Sequence, residues 1–597
     1  MAVGARVLRE LALLEEVAFA PSHVVVGVAA RGTLVVGSTA EGHYHLYALD
    51  PSQKVLRRLT RQPVHLLARA HPASQTVVFT RDVSMGRELS KVFSADVKSG
   101  MEAEVAPDVE PQRIAGLAFD GKRVAWSGAT REYAAAFLAE PGKGAEELAR
   151  LSGREFVTDV NEKYVVGFGS LRGDPFSMEL FIIDLSSREL HVFTPREGST
   201  NVAPKLRGDT VLFSSDYADG DKMRLYTYSI EEGTLREVDL TYRDMERFDP
   251  TEFVDYGWTE DGRVWAVAKR NGRTKLFVDG REVPTPPGFI SSAEVHEGAA
   301  YVVHSSLRSP PRVLSIDLET GESRILVDNR LSDEVSRRLG DVRFAVVESS
   351  GGVKVPVFVL ESRVATKPGP AVIYPHGGPW SEVADSWSPM IASLAVLGYH
   401  VVAPNFRGST GYGQKYRKMD IGDPGGGDLQ DVVSAALWAV EQGIAEREKL
   451  AILGYSYGGF MTLTALTRAP DIWRCGVAGA AIADWREQYE LADAYFRRFT
   501  EILFGGKLEL MEERSPITYV ESLKAPVCII HPQNDTRTPL RPIMRFASKL
   551  MEHGKLFELH VIPGVGHAIS LDRRSLLQFL VYAALFLERE MRAESRG

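Results

Sequence analysis

The sequence predicts two unlike halves: an all-β, seven-bladed propeller, then a doubly wound α/β domain with a mostly parallel sheet. Three observations carry this prediction. A unit of about 44 residues recurs through the first 300 or so positions, strand-like and helical runs alternate past about residue 340, and a G-x-S-x-G motif falls between a strand and a helix in the second half. At 597 residues the chain is too long for one ordinary core. The expected boundaries are a helix over 1–20 packing on the second domain, the propeller over 21–325 and the α/β domain over 326–597.

Each unit of the repeat is a short apolar strand, a polar turn, an alternating strand and a second turn rich in Asp, Gly and Ser. The apolar runs near Val35, Val77, Val124, Val165, Val211, Val264 and Val302 read as the first strands of seven units, with spacings between 38 and 53 residues. That is the period of a four-stranded blade. The unit at Val264 has an Asn271-Gly272 hairpin turn at its centre. A β-sandwich or two smaller β domains share this turn spacing, but persistence over roughly 300 residues favours the ring. Before the repeat, the first nineteen residues have the apolar periodicity of an amphipathic helix.

In the second half, strands are expected over 371–374, 400–403, 450–453, 527–530 and 557–561. Helices are expected over 390–397, 429–443, 460–468, 543–553 and 574–591. Strands this apolar fit burial on both faces of a parallel sheet.

Gly454-Tyr-Ser-Tyr-Gly458 follows the strand at 450–453 and precedes a helix. The glycines permit the sharp turn that holds a serine hydroxyl above the sheet, which makes Ser456 the candidate nucleophile of an α/β-hydrolase domain. A serine hydroxyl needs a base, and the base needs an orienting carboxylate. Asp535 follows the strand at 527–530 and His567 follows the strand at 557–561, in the order Ser, Asp, His that this fold uses. His531, His553 and His560 read as structural from their places before the acid, at a helix end and within a strand. For the oxyanion, the amide of Tyr457 is the first expected donor. The amide of Gly378, in His376-Gly-Gly-Pro379, is the second, because Pro379 has no N–H. Five aromatic rings between Asp484 and Phe499, with Phe496 and Phe499 on one helical face, are either core or a substrate pocket.

Composition narrows the rest. Hydrophobic residues make up 44 % and charged residues 25 %, with a net charge of −9, which argues against nucleic acid. The apolar N-terminal residues are interrupted by Arg6, Arg9, Glu10, Glu15 and Glu16, and no apolar run approaches the roughly 20 residues of a membrane span. Two cysteines, Cys475 and Cys528, without metal-ligand spacing, suggest a reducing compartment, and a cytoplasmic protein is the expectation. No metal or cofactor is implied. Six Asn and ten Gln are few; heat adaptation and genomic base composition account for this equally well. The sequence does not fix the oligomeric state, and a homo-oligomer is among the assemblies it allows.

His376-Gly-Gly-Pro379, Asn405-Phe-Arg-Gly-Ser-Thr-Gly-Tyr-Gly413, Gly454-Tyr-Ser-Tyr-Gly-Gly459 and Asn534-Asp-Thr-Arg-Thr-Pro539 together resemble the signatures of the prolyl oligopeptidases. The resemblance extends to the whole chain and is nearest to the archaeal acylaminoacyl peptidase branch. It implies a serine peptidase that removes N-acylated amino acids from short peptides, often with endopeptidase and esterase side activity. It also implies that Trp485, Phe496 and Phe499 line the pocket for the residue before the scissile bond, and that Arg113 reaches the substrate from the propeller. The dipeptidyl peptidase branch holds a free amine with paired glutamates, whereas Glu231-Glu232 here falls in an expected blade turn. A carboxylesterase shielded by its propeller is the alternative enzyme, and a non-catalytic propeller scaffold is the alternative of another class.

Overall fold

The computed structural model describes residues 2–240 and 243–592. Among them, seven four-stranded antiparallel sheets are each built from four consecutive strands. The first runs from His23–Ala29 to Val55–Arg58 and the last from Phe289–His296 to Ser323–Val327. The valines that mark the repeat lie in the second strand of every blade, not the first, so the expected phase was one strand off. Burial explains the error. The second strands are mostly buried, Val124–Ala129 along its whole length. The first strands face the channel and several open on a polar residue: Arg113, Glu155, Asn201 and Glu252.

No strand is shared between the first and last blades. The ring closes instead by packing Val25, Val28, Leu34, Val36 and Leu49 of the first blade with Val303, Val313 and Leu326 of the last. The Val25 amide adds a hydrogen bond to Ser292 Oγ at 3.0 Å.

The hydrolase sheet has eight strands, in the order Leu339–Glu348, Lys354–Ser362, His400–Pro404, Gly369–Ile373, Ala445–Tyr455, Cys475–Gly479, Val527–Pro532, Phe557–Ile562. The first two are antiparallel and the last six run parallel. Three of the eight carry weak sequence signals. The leading hairpin is only half-buried on its outer strand, and Cys475–Gly479 is short and built of small residues, for which strand propensity is low. Small residues are required there: a Cβ at Gly479 would lie 2.6 Å from both the Tyr455 and Phe579 rings.

Helices cover both faces. Gly427–Glu441, Tyr457–Arg468 and Leu540–Glu552 contribute Leu429, Val432, Phe460, Ile543 and Phe546 to one core. Pro389–Val396 and Arg573–Arg592 fill the other with Ile391, Leu394, Phe579 and Leu587. The N-terminal helix, Ala2–Phe19, joins this second core through Leu14, Val17 and Ala18. Burying a side chain of this size stabilises by about 1.5–3 kcal/mol, and an ion pair and a hydrogen bond fix the helix's position. Glu10 meets Arg338 at 2.7 Å, and Glu16 accepts from the Ser332 amide at 2.5 Å. The helix therefore belongs to the hydrolase although the propeller separates them in sequence. No helix among the described residues is long and apolar enough to cross a membrane.

Candidate active site

Ser456 occupies the turn between Ala445–Tyr455 and Tyr457–Arg468 at φ 61° and ψ −121°. A non-glycine residue at positive φ is costly and persists only where its surroundings enforce it. Here they do. A Cβ at Gly454 would overlap the backbone of Gly458, one at Gly458 would overlap the Pro375 carbonyl, and one at Gly459 would overlap the Gly479 carbonyl. The motif's glycines are close-approach positions, and the crowding aims the serine outward.

The structure brings Ser456, His567 and Asp535 into one chain of contacts. His567 Nε2 lies 3.0 Å from Ser456 Oγ, and its Nδ1 lies 2.7 Å from Asp535 Oδ2. Asp535 also accepts from the amides of Arg537 and Thr538, each at 2.9 Å, and from the Thr538 hydroxyl at 2.8 Å. Burial alone would raise its pKa. The charge and hydrogen bond of His567, with the Thr538 amide, hold it below the usual carboxylate range. Asp535 is thus an ionised acceptor that fixes which imidazole nitrogen carries the proton. The Tyr455 hydroxyl donates to the His567 carbonyl at 2.7 Å and steadies the loop from below.

The amide of Tyr457 opens a helix, where no intrahelical carbonyl claims it. Its side chain is pinned by a 2.6 Å hydrogen bond to Asp428 Oδ2, whose own pKa burial pushes up to about 6. Gly378, at φ 128°, lines the same cavity as Ser456, while a Cβ at Gly377 would stand 3.3 Å from Ser456 Cβ. His376 is structural: it is stacked on Phe406 with centroids 4.3 Å apart and bonded to Ser409 Oγ at 2.7 Å. Burial pushes its pKa down to about 4, so the ring is neutral.

These groups open on a cavity of about 360 Å³ between the two domains. Phe496 and Phe499 line it, with centroids 5.9 Å apart on the helix Ala494–Leu503. Trp485 does not. It is fully buried behind the wall, packed on Phe460 at 5.1 Å and Phe504 at 5.4 Å, because it starts a different helix and faces the hydrolase core. Trp380, absent from the expected pocket, takes a place in the wall and meets Phe499 edge-on at 5.3 Å. Arg113 lines the cavity, but its guanidinium is already engaged by Asp493 at 2.6 Å, Thr536 Oγ1 at 2.8 Å and Glu88.

Glu88 had no sequence signal. Its carboxylate also pairs with Arg537 at 2.7 Å, a residue 449 positions away. Burial would raise its pKa, yet Arg537, His65 and Arg113 hold it well below the usual range. Around it, a hairpin of the second blade docks on the loops that bear Asp535 and His567. Asn534 Nδ2 donates to the Met85 carbonyl at 2.7 Å, Thr536 Oγ1 donates to the Arg87 carbonyl at 3.0 Å, and Gly86 abuts Gly566.

Fold and site together define the class: an α/β-hydrolase capped by a seven-bladed propeller, with a serine, a histidine and an aspartate in contact beneath the cap. Residues 35–314 match the family model of the acylamino-acid-releasing enzyme-like N-terminal domain, and residues 386–593 match that of the prolyl oligopeptidase family. The chain belongs to the prolyl oligopeptidase family.

Among curated relatives, the Arabidopsis thaliana acylamino-acid-releasing enzyme is 27 % identical over 394 residues, which is 62 % of this chain and 48 % of that protein. The dipeptidyl aminopeptidase BIII of Pseudoxanthomonas mexicana is 36 % identical over 182 residues, 29 % of this chain and 26 % of that one. The chain thus matches about a quarter to a half of the length of these two relatives. In overall fold it resembles the Pyrococcus horikoshii acylaminoacyl peptidase, with TM-score 0.72, 18 % identity and 98 % of each chain covered. A Mycobacterium tuberculosis puromycin-hydrolyzing peptidase gives TM-score 0.82 at 18 % identity, with 98 % of this chain and 97 % of that one covered.

Proposed function

We propose that this protein is a serine peptidase that releases N-acylated amino acids from the N-termini of short peptides. Ser456 attacks the scissile carbonyl while His567 takes its proton. The amides of Tyr457 and Gly378 hold the developing oxyanion, and Asp535 stabilises the imidazolium. His567 then protonates the leaving amine. Water, deprotonated by the same imidazole, hydrolyses the acyl-enzyme, and Ser456 recovers its proton.

One observation carries the preference for a blocked N-terminus. Among the described residues the only acidic side chain lining the cavity is Glu88, and it is committed to Arg113 and Arg537; Arg154 adds a third positive charge to the lining. A free ammonium would enter without a counter-charge, whereas an acyl group enters neutral. Glu231 and Glu232 do not serve: they lie in a blade turn outside the cavity, with Glu231 paired to Lys163 at 2.7 Å.

The test compares kcat/KM on acetyl-leucine anilide, leucine anilide with a free amine, and a simple aryl ester, with Ser456→Ala as the blank. Preference for the acetylated anilide supports the reading. Hydrolysis of the ester alone would mean a carboxylesterase shielded by its propeller.

A further inference from the structure

Many buried cations in the seam between the domains are paired, although Arg573 meets no carboxylate among the described residues and donates to Thr39 Oγ1 at 3.1 Å. Arg113 and Arg537 meet Glu88, Lys269 meets Glu252 at 3.1 Å and also Glu382, and Lys418 meets Asp216 at 3.5 Å. Arg154 and Arg417 differ. Neither has a carboxylate within ion-pair distance among the described residues, and Arg154 Nε is a buried donor with no partner. Arg417 has only a 3.5 Å contact to Gln414 Oε1 and a 3.7 Å contact to Met178 sulfur. What they share is the indole of Trp380. The Arg154 guanidinium lies 4.8 Å from its ring centre and that of Arg417 lies 5.4 Å from it.

The acids nearest this pair are otherwise occupied. Glu252 is bound to Lys269, and Asp216 to Lys418. Asp420 accepts from the Trp380 indole N–H at 3.1 Å, and burial together with Asp428 pushes its pKa well above the usual range, so it supplies little counter-charge. Two guanidiniums without a counter-charge in a half-buried place are an unfavourable arrangement on their own. They are also reachable. Arg154, Phe156 and Trp380 line both the cavity of Ser456 and a second cavity of about 280 Å³, which Arg417 lines too.

We propose that Arg154 and Arg417 form an anion subsite, reached from Ser456 past the wall of Trp380 and Phe499, that takes a carboxylate carried by the substrate. Resting on the peptidase reading above, the carboxylate has two sources: the acidic side chain of the residue entering the aromatic wall, or the C-terminus of a short peptide. A guanidinium offers paired donors that match a carboxylate. Hydrogen bonds to charged groups of this kind correspond to about 10- to 100-fold in affinity.

The test uses two substrate pairs on the whole enzyme: acetyl-glutamate against acetyl-glutamine anilide, and acetyl-Leu-Ala-Ala with a free against an amidated C-terminus. The subsite is expected to favour the acid by about 10-fold or more in kcat/KM in one pair, and the pair that responds identifies the source. Arg417→Met and Arg154→Met are each expected to bring that ratio toward one, and Arg417→Lys to retain part of it. The ratio is taken within each variant, so a partial loss of folded enzyme cancels.

If acetyl-leucine anilide is hydrolysed while both pairs stay level, or the ratio survives both methionine variants, the subsite is refuted and the peptidase reading stands. If no anilide or peptide is turned over, that reading fails instead. Calorimetric binding of acetyl-glutamate amide and acetyl-glutamine amide to wild type and Arg417→Met then decides the subsite, and equal affinities overturn it.

Discussion

Gly566→Ala should remove most activity while leaving the protein folded. Gly566 precedes His567 and packs on Gly86 at the tip of the propeller hairpin, so an added methyl would overlap the Gly86 carbonyl. The same seam seen from the other side gives the scale. A Cβ at Gly86 would stand 2.5 Å from the Gly566 nitrogen, where ordinary contact begins at 3.4 Å, and one at Gly566 would press still closer on the Gly86 carbonyl, so the two loops must part by at least about 1 Å. If the His567 loop gives way, the 3.0 Å contact between Nε2 and Ser456 Oγ opens to about 4 Å, beyond the reach of proton transfer. A misplacement of this size costs on the order of 10²-fold, or about 2.7 kcal/mol of barrier. The assay is kcat on acetyl-leucine anilide beside a thermal melt. Activity down about 100-fold with Tm within a few degrees is the expected pair of results. Wild-type kcat would refute the reasoning, because it would mean that the hairpin yields freely and does not hold the histidine loop. Gly86→Ala should act in the same direction, with added strain from its φ of 89°.

Other expectations concern single residues. Ser456→Ala should lower turnover by roughly 10⁴ to 10⁶ and Asp535→Asn by roughly 10⁴, with unchanged circular dichroism; near-normal activity in either folded variant would remove that residue from the mechanism. Phe499→Ala should reduce kcat/KM for substrates with a large apolar residue before the scissile bond about 10-fold more than for those with alanine there. Equal losses would make the ring a packing residue only. Asp428 gives a pH test. Its folded pKa of about 6 exceeds the usual carboxylate value of about 3.9, so the folded state binds the proton more tightly. Its contribution to stability is therefore present below about pH 4 and lost as the pH rises through about 6. Urea midpoints of wild type relative to Asp428→Asn should fall across that window, and a level difference would contradict the shift.

What was legible in the sequence is what depends on local order along the chain. The G-x-S-x-G turn, the acid and the base each follow an apolar strand, and strands adjacent in a parallel sheet deliver their following loops to one edge. The blades were legible because their second strands are buried on both faces, and the same fact displaced the phase by one strand. Phe496 and Phe499 were placed on one helical face by spacing alone. Trp485 was misplaced because resemblance gives a position in a motif, whereas Asp484 caps a separate short helix that turns the indole inward. Glu88, Arg154 and Arg417 could not be found from the sequence. Their meaning arises only when the propeller docks on the hydrolase, and no periodicity along the chain encodes contacts between residues hundreds of positions apart.

The central claim is that this hydrolase removes a blocked residue from a peptide's N-terminus. The most direct measurement follows one peptide of about ten residues by mass spectrometry, N-acetylated in one sample and free in the other, with Ser456→Ala as control. The account expects the acetylated peptide to lose its first residue as the acetyl-amino acid, leaving a peptide one residue shorter, and the free peptide to react much more slowly. Release of dipeptides from the free peptide, with the acetylated one untouched, would contradict it.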